Sequence, residues 1–185
     1  MKSLLSFVWE IVKITVITLA IIIPVRYFLM QPFFVKGASM EPNFEDGQYL
    51  VIDELSYRFR NPERGEVVVF RYPPEPSQFY IKRVIGLPGE TVEIADNRVK
   101  IYDSEHPLGF ILNENNYLPP VIPTSGGEKQ KLGPDEYFVM GDNRQASFDS
   151  RRWGVLPRAN ITGRVWLRAW PLPAAHIFSA PEYSY

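Results

Sequence analysis

EVVVFRYPPEPSQFYIKRVIGLPGETVEIADNRVKIY, residues 66–102, decides the architecture. Four runs rich in β-branched and aromatic residues, 66–72, 79–86, 91–95 and 98–102, are parted by clusters of Pro, Gly, Asn and Asp, among them the turn signal LPGE at 87–90. Outward from this core the same grammar recurs in QYLVIDEL at 48–55, EYFVM at 136–140 and ITGRVWLRAW at 161–170. Short strands at such spacing predict a mainly β domain, an antiparallel barrel or sandwich, over 33–171. The stretch 103–134, with Pro119, Pro120, Pro123 and the Gly126–Gly127 pair, reads as an insertion or long loop on that sheet. The tail 172–185 is expected to be poorly ordered.

Residues 1–32 read differently. From Leu4 to Met30 the chain runs LLSFVWEIVKITVITLAIIIPVRYFLM, which as a helix covers about 40 Å against a hydrocarbon core of about 30 Å. Its apolar residues go all round the helix rather than forming one stripe, which favours an N-terminal transmembrane helix over a buried one. Glu10 and Lys13 are spaced to pair on one face, and Arg26 can snorkel. The stretch QPFFVKGAS after the span lacks the small residues a secretory cleavage site needs, so an uncleaved single-pass anchor is expected. Charge does not orient it: Lys2 and Lys13 balance Arg26 and Lys36.

Composition removes whole classes of function. With 20 Lys+Arg against 21 Asp+Glu, binding of nucleic acid by bulk charge is not expected. The absence of Cys excludes thiol nucleophiles, thiolate metal sites and disulfides, and two His make a metal cluster improbable, so neither metal nor cofactor is expected. A Ser-His-Asp triad would need His106 or His176, which stand in the insertion and the tail, and neither GxSxG nor HExxH occurs. A Ser nucleophile served by a Lys base stays open, because a lysine desolvated among apolar groups loses its proton near neutral pH.

Three segments supply candidates. In VKGASMEPNFEDG, Ser39 stands in a Gly/Pro turn, where serine is ordinarily a turn residue; Gly37 lets the backbone come close to a ligand. In YIKRVIGLPGE, strand alternation sets Lys82 with Tyr80 and Val84 on one face and Arg83 with Ile81 and Ile85 on the other, so that one basic residue of the pair faces inward. In VMGDNRQASFDSRRWGVLP, the company of Asp142, Asn143, Arg144, Asp149 and Arg151 with Phe148 and Trp153 suits a loop fixed beside a site, or equally a solvated loop.

Together these blocks resemble bacterial type I signal peptidase: GASMEPNFEDGQYLVID at 37–53, RGEVVVFRYP at 64–73, YIKRVIGLPGE at 80–90 and MGDNRQASFDSRRWGVLP at 140–157. The resemblance implies a membrane-anchored serine endopeptidase with its catalytic domain outside the cytoplasm, cutting signal peptides from preproteins after Ala-X-Ala. It implies Ser39 as nucleophile and Lys82 as general base. Ser147 matches the hydroxyl that bonds the lysine amine, Asp149 and Arg151 a supporting ion pair, and Asp142 and Arg144 structural support. Gly37 stands where some members carry a serine that donates to the oxyanion, leaving that work to a backbone amide. Phe33, Val35, Met40, Phe44, Tyr80 and Ile81 are the candidates for two shallow substrate pockets, with plain core as their other reading. Expected partners are signal peptides and the lipid bilayer, with the translocation machinery a further one. An inactive, anchored module that binds signal peptides is the competing reading.

Overall fold

The computed structural model describes residues 2–24, 30–119, 122–126, 128–181 and 183. Helix α1 (Lys2–Pro24) precedes twelve strands: β1 (Met30–Phe34), β2 (Tyr49–Asp53), β3 (Val67–Tyr72), β4 (Glu75–Gly86), β5 (Thr91–Ala95), β6 (Arg98–Tyr102), β7 (Phe110–Ile111), β8 (Gln130–Lys131), β9 (Glu136–Met140), β10 (Leu156–Pro157), β11 (Ile161–Trp170) and β12 (His176–Ile177), with a short helix α2 (Ser150–Trp153) between β9 and β10. The strands form two antiparallel sheets. The larger is ordered β1-β2-β11-β3-β4-β9-β10, with β12 beside β11, and the smaller β7-β6-β5-β8. The expected mainly antiparallel β fold is present; a closed barrel is not found among the described residues, because β1 and β10 end the larger sheet without meeting.

Alternation along the strands fills both faces of the larger sheet. Leu50, Ile52, Val67, Val69 and Val165 pack on one side with Val35, Met40 and Phe44. Val68, Phe70, Val84, Val139 and Leu156 pack on the other with Tyr57 and Tyr137. A third cluster, in which Ile85, Phe138 and Met140 meet Val92, Val99, Ile101, Leu112 and Leu132, joins the small sheet to the large one. β4 is central, between β3 and β9, so both faces are covered and Lys82 and Arg83 are both buried, not one of them alone.

Several expectations change. β1 starts at Met30, inside the stretch read as helix, and pairs with β2 from Met30↔Asp53 to Phe34↔Tyr49. The insertion is not bare loop: β7 pairs with β6, and β8 with β5. The tail packs, since β12 pairs with β11, Phe178 lies 4.7 Å from the Phe44 ring, and Tyr183 joins the cluster between the sheets. Among the described residues no helix is long and apolar enough to cross a membrane. Glu10 and Lys13 fall within α1, and 25–29, which the sequence reading counts in the span, lie outside the described residues.

Candidate active site

The turn after β1 and the strand β4 meet at one point. Val35 continues the β1 pairing through its amide to Gln48 O (2.9 Å), and Gly37, at φ +82°, turns the chain with its amide held by Asp46 Oδ1 at 2.6 Å. A side chain at Gly37 would be strained in that left-handed conformation. Beyond the turn, Ser39 is half-buried, and its Oγ lies 2.8 Å from Lys82 Nζ.

Lys82 comes from the middle of β4, paired opposite Val68 of β3. Only 4% of it is exposed. Its amine donates to Ile81 O at 2.8 Å, which aims the nitrogen at Ser39. Burial lowers its pKa to about 8, against the opposing pull of the Asp149 and Asp142 carboxylates. A useful fraction of the amine is therefore neutral near physiological pH, with a lone pair able to accept the Ser39 hydroxyl proton.

The loop after β9 braces this pair. Asn143 donates from its backbone amide to Ser39 O (3.1 Å) and from Nδ2 to Ala38 O (3.0 Å), while its Oδ1 accepts from the Ala146 amide (3.2 Å). Gly141 makes the approach possible: a Cβ there would sit 2.3 Å from both Ser39 O and Ser147 Oγ. Asp142 is fully buried and takes two bonds from Arg83, 2.8 and 2.6 Å, and one from Asn43 Nδ2 at 2.9 Å. Asp149 takes the Gly141 amide at 3.0 Å and a two-point bond from Arg151, 2.8 and 2.7 Å. Burial pushes the Asp149 carboxyl up, but Arg151 and these hydrogen bonds outweigh it and hold the group below its ordinary range. Arg144 reaches away from the dyad, to Glu114 (2.8 and 2.5 Å), Thr124 Oγ1 (2.5 Å) and Gly141 O (3.2 Å), tying the insertion to the loop.

Two readings need correction. The Ser147 hydroxyl does not bond the lysine amine, whose described partners are Ser39 Oγ and Ile81 O; it is buried near Asp149, short of a well-formed hydrogen bond. Ser147 follows the bend made by Asn143 and Ala146, which packs it against Gly141. Met40 and Phe44 do not line the site. The turn after Ser39 closes with the Phe44 amide on Met40 O (3.0 Å), rolling both side chains into the core, where neither is exposed.

A cavity of about 690 Å³ opens beside the dyad. Phe33, Val35, Tyr80 and Ile81 line it, and Gly37, Ser39 and Lys82 lie along it. The sequence reading omitted Phe34, Leu50, Val69, Phe79, Ala146 and Phe148 from these walls. Phe148 stood in the motif-bearing loop; Leu50 and Val69 carry no signal beyond strand alternation.

A serine hydroxyl against a buried, partly neutral lysine, beside an apolar cleft, is a set of parts suited to acyl transfer. The family model described as signal peptidase, peptidase S26, matches residues 8–170. The chain belongs to that family. It is 36% identical over 170 residues to a probable signal peptidase I-2 of Synechocystis, covering 89% of this chain and 74% of that protein. It is 32% identical to signal peptidase I of Pseudomonas aeruginosa, with 84% and 70% covered, and 32% identical to thylakoidal processing peptidase 1 of Arabidopsis thaliana, with 92% and 51% covered.

Proposed function

We propose that this peptidase cleaves signal peptides from preproteins through Ser39 as nucleophile and Lys82 as general base. The observation that carries the assignment is the 2.8 Å contact between Ser39 Oγ and the buried Lys82 Nζ. Neutral Lys82 takes the hydroxyl proton as Oγ attacks the scissile carbonyl. The tetrahedral oxyanion is held by the Ser39 amide, since the Gly37 amide already donates to Asp46 and Gly37 has no hydroxyl. Lysinium then protonates the leaving amine, the acyl group stays on Ser39, and water, deprotonated by Lys82, releases it. Asp142, Asp149 and Arg151 hold the loop that fixes this geometry.

The substrate binds as an added strand. β9 pairs with β4 from Arg83 to Gly86, so the backbone around Phe79–Ile81 on that side faces the cleft and can bond an extended peptide, while Phe33, Val35, Tyr80 and Ile81 form shallow pockets that suit Ala-X-Ala. The competing inactive module gains no support, since the similar proteins are peptidases by name. The N-terminal segment that carries α1 anchors the chain to the membrane, and the catalytic domain lies on the extracytoplasmic side. What supports an anchor is that Leu4, Phe7, Val8, Trp9, Ile14 and Ile17, on every side of α1, are all exposed. Lipid and the translocation machinery are the matching partners.

The test is cleavage of a model preprotein bearing Ala-X-Ala, in detergent, with product ends read by mass spectrometry. A single cut after the second Ala, absent with Ser39→Ala, is the expected result. A cut that survives Ser39→Ala places the nucleophile elsewhere.

A further inference from the structure

The cleft has a direction. At one end the Phe33 ring meets Phe79 edge-on at 5.4 Å, and further along the cleft Ser39 meets Lys82. On the reading that Ser39 attacks the scissile bond, residues before the cut lie along Phe33–Gly37, and the first residues of the mature protein pass beyond Ser39. There the wall is made by Ala146 and Phe148, from the loop that Asn143 binds to Ala38 and Ser39.

Phe148 is unusual in its surroundings. Its neighbours Ser147 and Asp149 are buried, yet 46% of Phe148 is exposed. The ring cannot withdraw, because an aromatic frame backs it. Tyr72 meets it edge-on at 6.0 Å, Tyr72 stacks on Tyr80 at 4.7 Å, and Trp153 stands edge-on to Tyr72 at 5.8 Å. The frame leaves an apolar face open in the cleft, and a side chain that covers it leaves water with it. The two cations along the cleft, Lys36 and Lys82, lie on its pre-cut side and at its centre, so this end selects by apolarity, not charge.

We propose that Phe148 is a specificity-determining residue for the leaving side of the reaction, giving this peptidase a preference for an apolar side chain at one of the first two positions after the cut. The inference rests on the Ser39–Lys82 reading above. It adds a third recognition element to the two pockets before the cut and makes the start of the mature protein part of the cleavage signal.

The test uses peptides that share one Ala-X-Ala segment and differ after the cut, with Leu or its near-isostere Asn at the first or the second position. With the full chain, kcat/KM is expected to favour Leu over Asn about tenfold at one of the two positions, and Phe148→Ala to reduce that ratio to about two or less. Phe148→Leu, which keeps an apolar wall, should retain most of the ratio and guards against a folding defect in the alanine variant. A ratio near one in the wild type, or one unchanged in Phe148→Ala, overturns the proposal while leaving the dyad standing. Cleavage by Ser39→Ala at the wild-type rate overturns both.

Discussion

Lys82 Nζ and Ser39 Oγ, 43 residues apart in sequence, lie 2.8 Å from each other where a twelve-residue strand passes under the turn that leaves β1. The lysine reaches that point through the interior of the sheet, so its charge is poorly solvated. In the proposed mechanism, burial is also what lets it act as a base. The position therefore sets stability against chemistry.

That opposition is measurable. Unfolding returns Lys82 from a pKa of about 8 to its ordinary 10.5. Between these values the unfolded chain binds the proton and the folded one does not, so this group's contribution to stability rises with pH across that window; below about 8 both states are protonated and the full penalty applies. Lys82→Met, of similar length and without charge, is expected to be inactive and more stable than wild type by about 3 kcal/mol at pH 7. The gap should shrink as pH approaches 10. Denaturant unfolding at pH 7 and pH 10 checks this, and a gap independent of pH refutes it.

In the proposed mechanism Asn143 positions the nucleophile through its bonds to Ser39 O and Ala38 O. Asn143→Ala removes the Nδ2 bond to Ala38 O and the Oδ1 bond to the Ala146 amide, letting the Ser39 turn drift. The expected effect is a loss of roughly 10- to 100-fold in kcat with KM little changed. Steady-state kinetics with one model substrate separates this from a binding defect, which would raise KM.

Arg83 and Asp142 are a buried pair, with side chains 8% and 0% exposed. Asp142→Ala strands the guanidinium against Tyr117, whose ring lies 4.1 Å beneath it, and is expected to cost about 3–5 kcal/mol. Arg83→Met in the same background should restore part of that loss, because no unpaired charge remains. Thermal melts of the two single variants and the double variant decide it.

Asp149 and Arg151 support the loop that carries Gly141. Arg151→Ala is expected to lower melting temperature and rate together, since Asp149 loses the partner that keeps it ionised. A fall in rate with unchanged melting would give Arg151 a more direct role.

The central strands were legible because 66–72, 79–86, 91–95 and 98–102 are each rich in β-branched and aromatic residues and are punctuated by turns. Sheet closure was not, since whether β1 meets β10 is a non-local matter that no periodicity carries. The tail was read as loose because its 172–185 composition is that of a loop, yet Phe178 covers Phe44 and Tyr183 reaches the seam between the sheets. Ser39 and Lys82 stood out through the motifs around them. Met40 and Phe44, two residues of the same motif, pointed the other way because one tight turn separates a cleft-facing serine from core-facing neighbours. The bracing role of Asn143 had a signal, its place in MGDNR, but the partners Ala38 and Ser39 lie about a hundred residues away and only the fold brings them together.

The most direct measurement is the pH dependence of kcat/KM on a peptide free of ionising groups near its cut, from pH 6 to 10, for wild type beside Lys82→Arg. The expected wild-type profile falls about tenfold per pH unit on the acid side and levels off above an apparent pKa of about 8, the value burial sets for Lys82. Lys82→Arg, which cannot lose its proton in this range, should be inactive throughout. A flat wild-type profile, or substantial turnover by Lys82→Arg, would contradict neutral Lys82 as the base that activates Ser39.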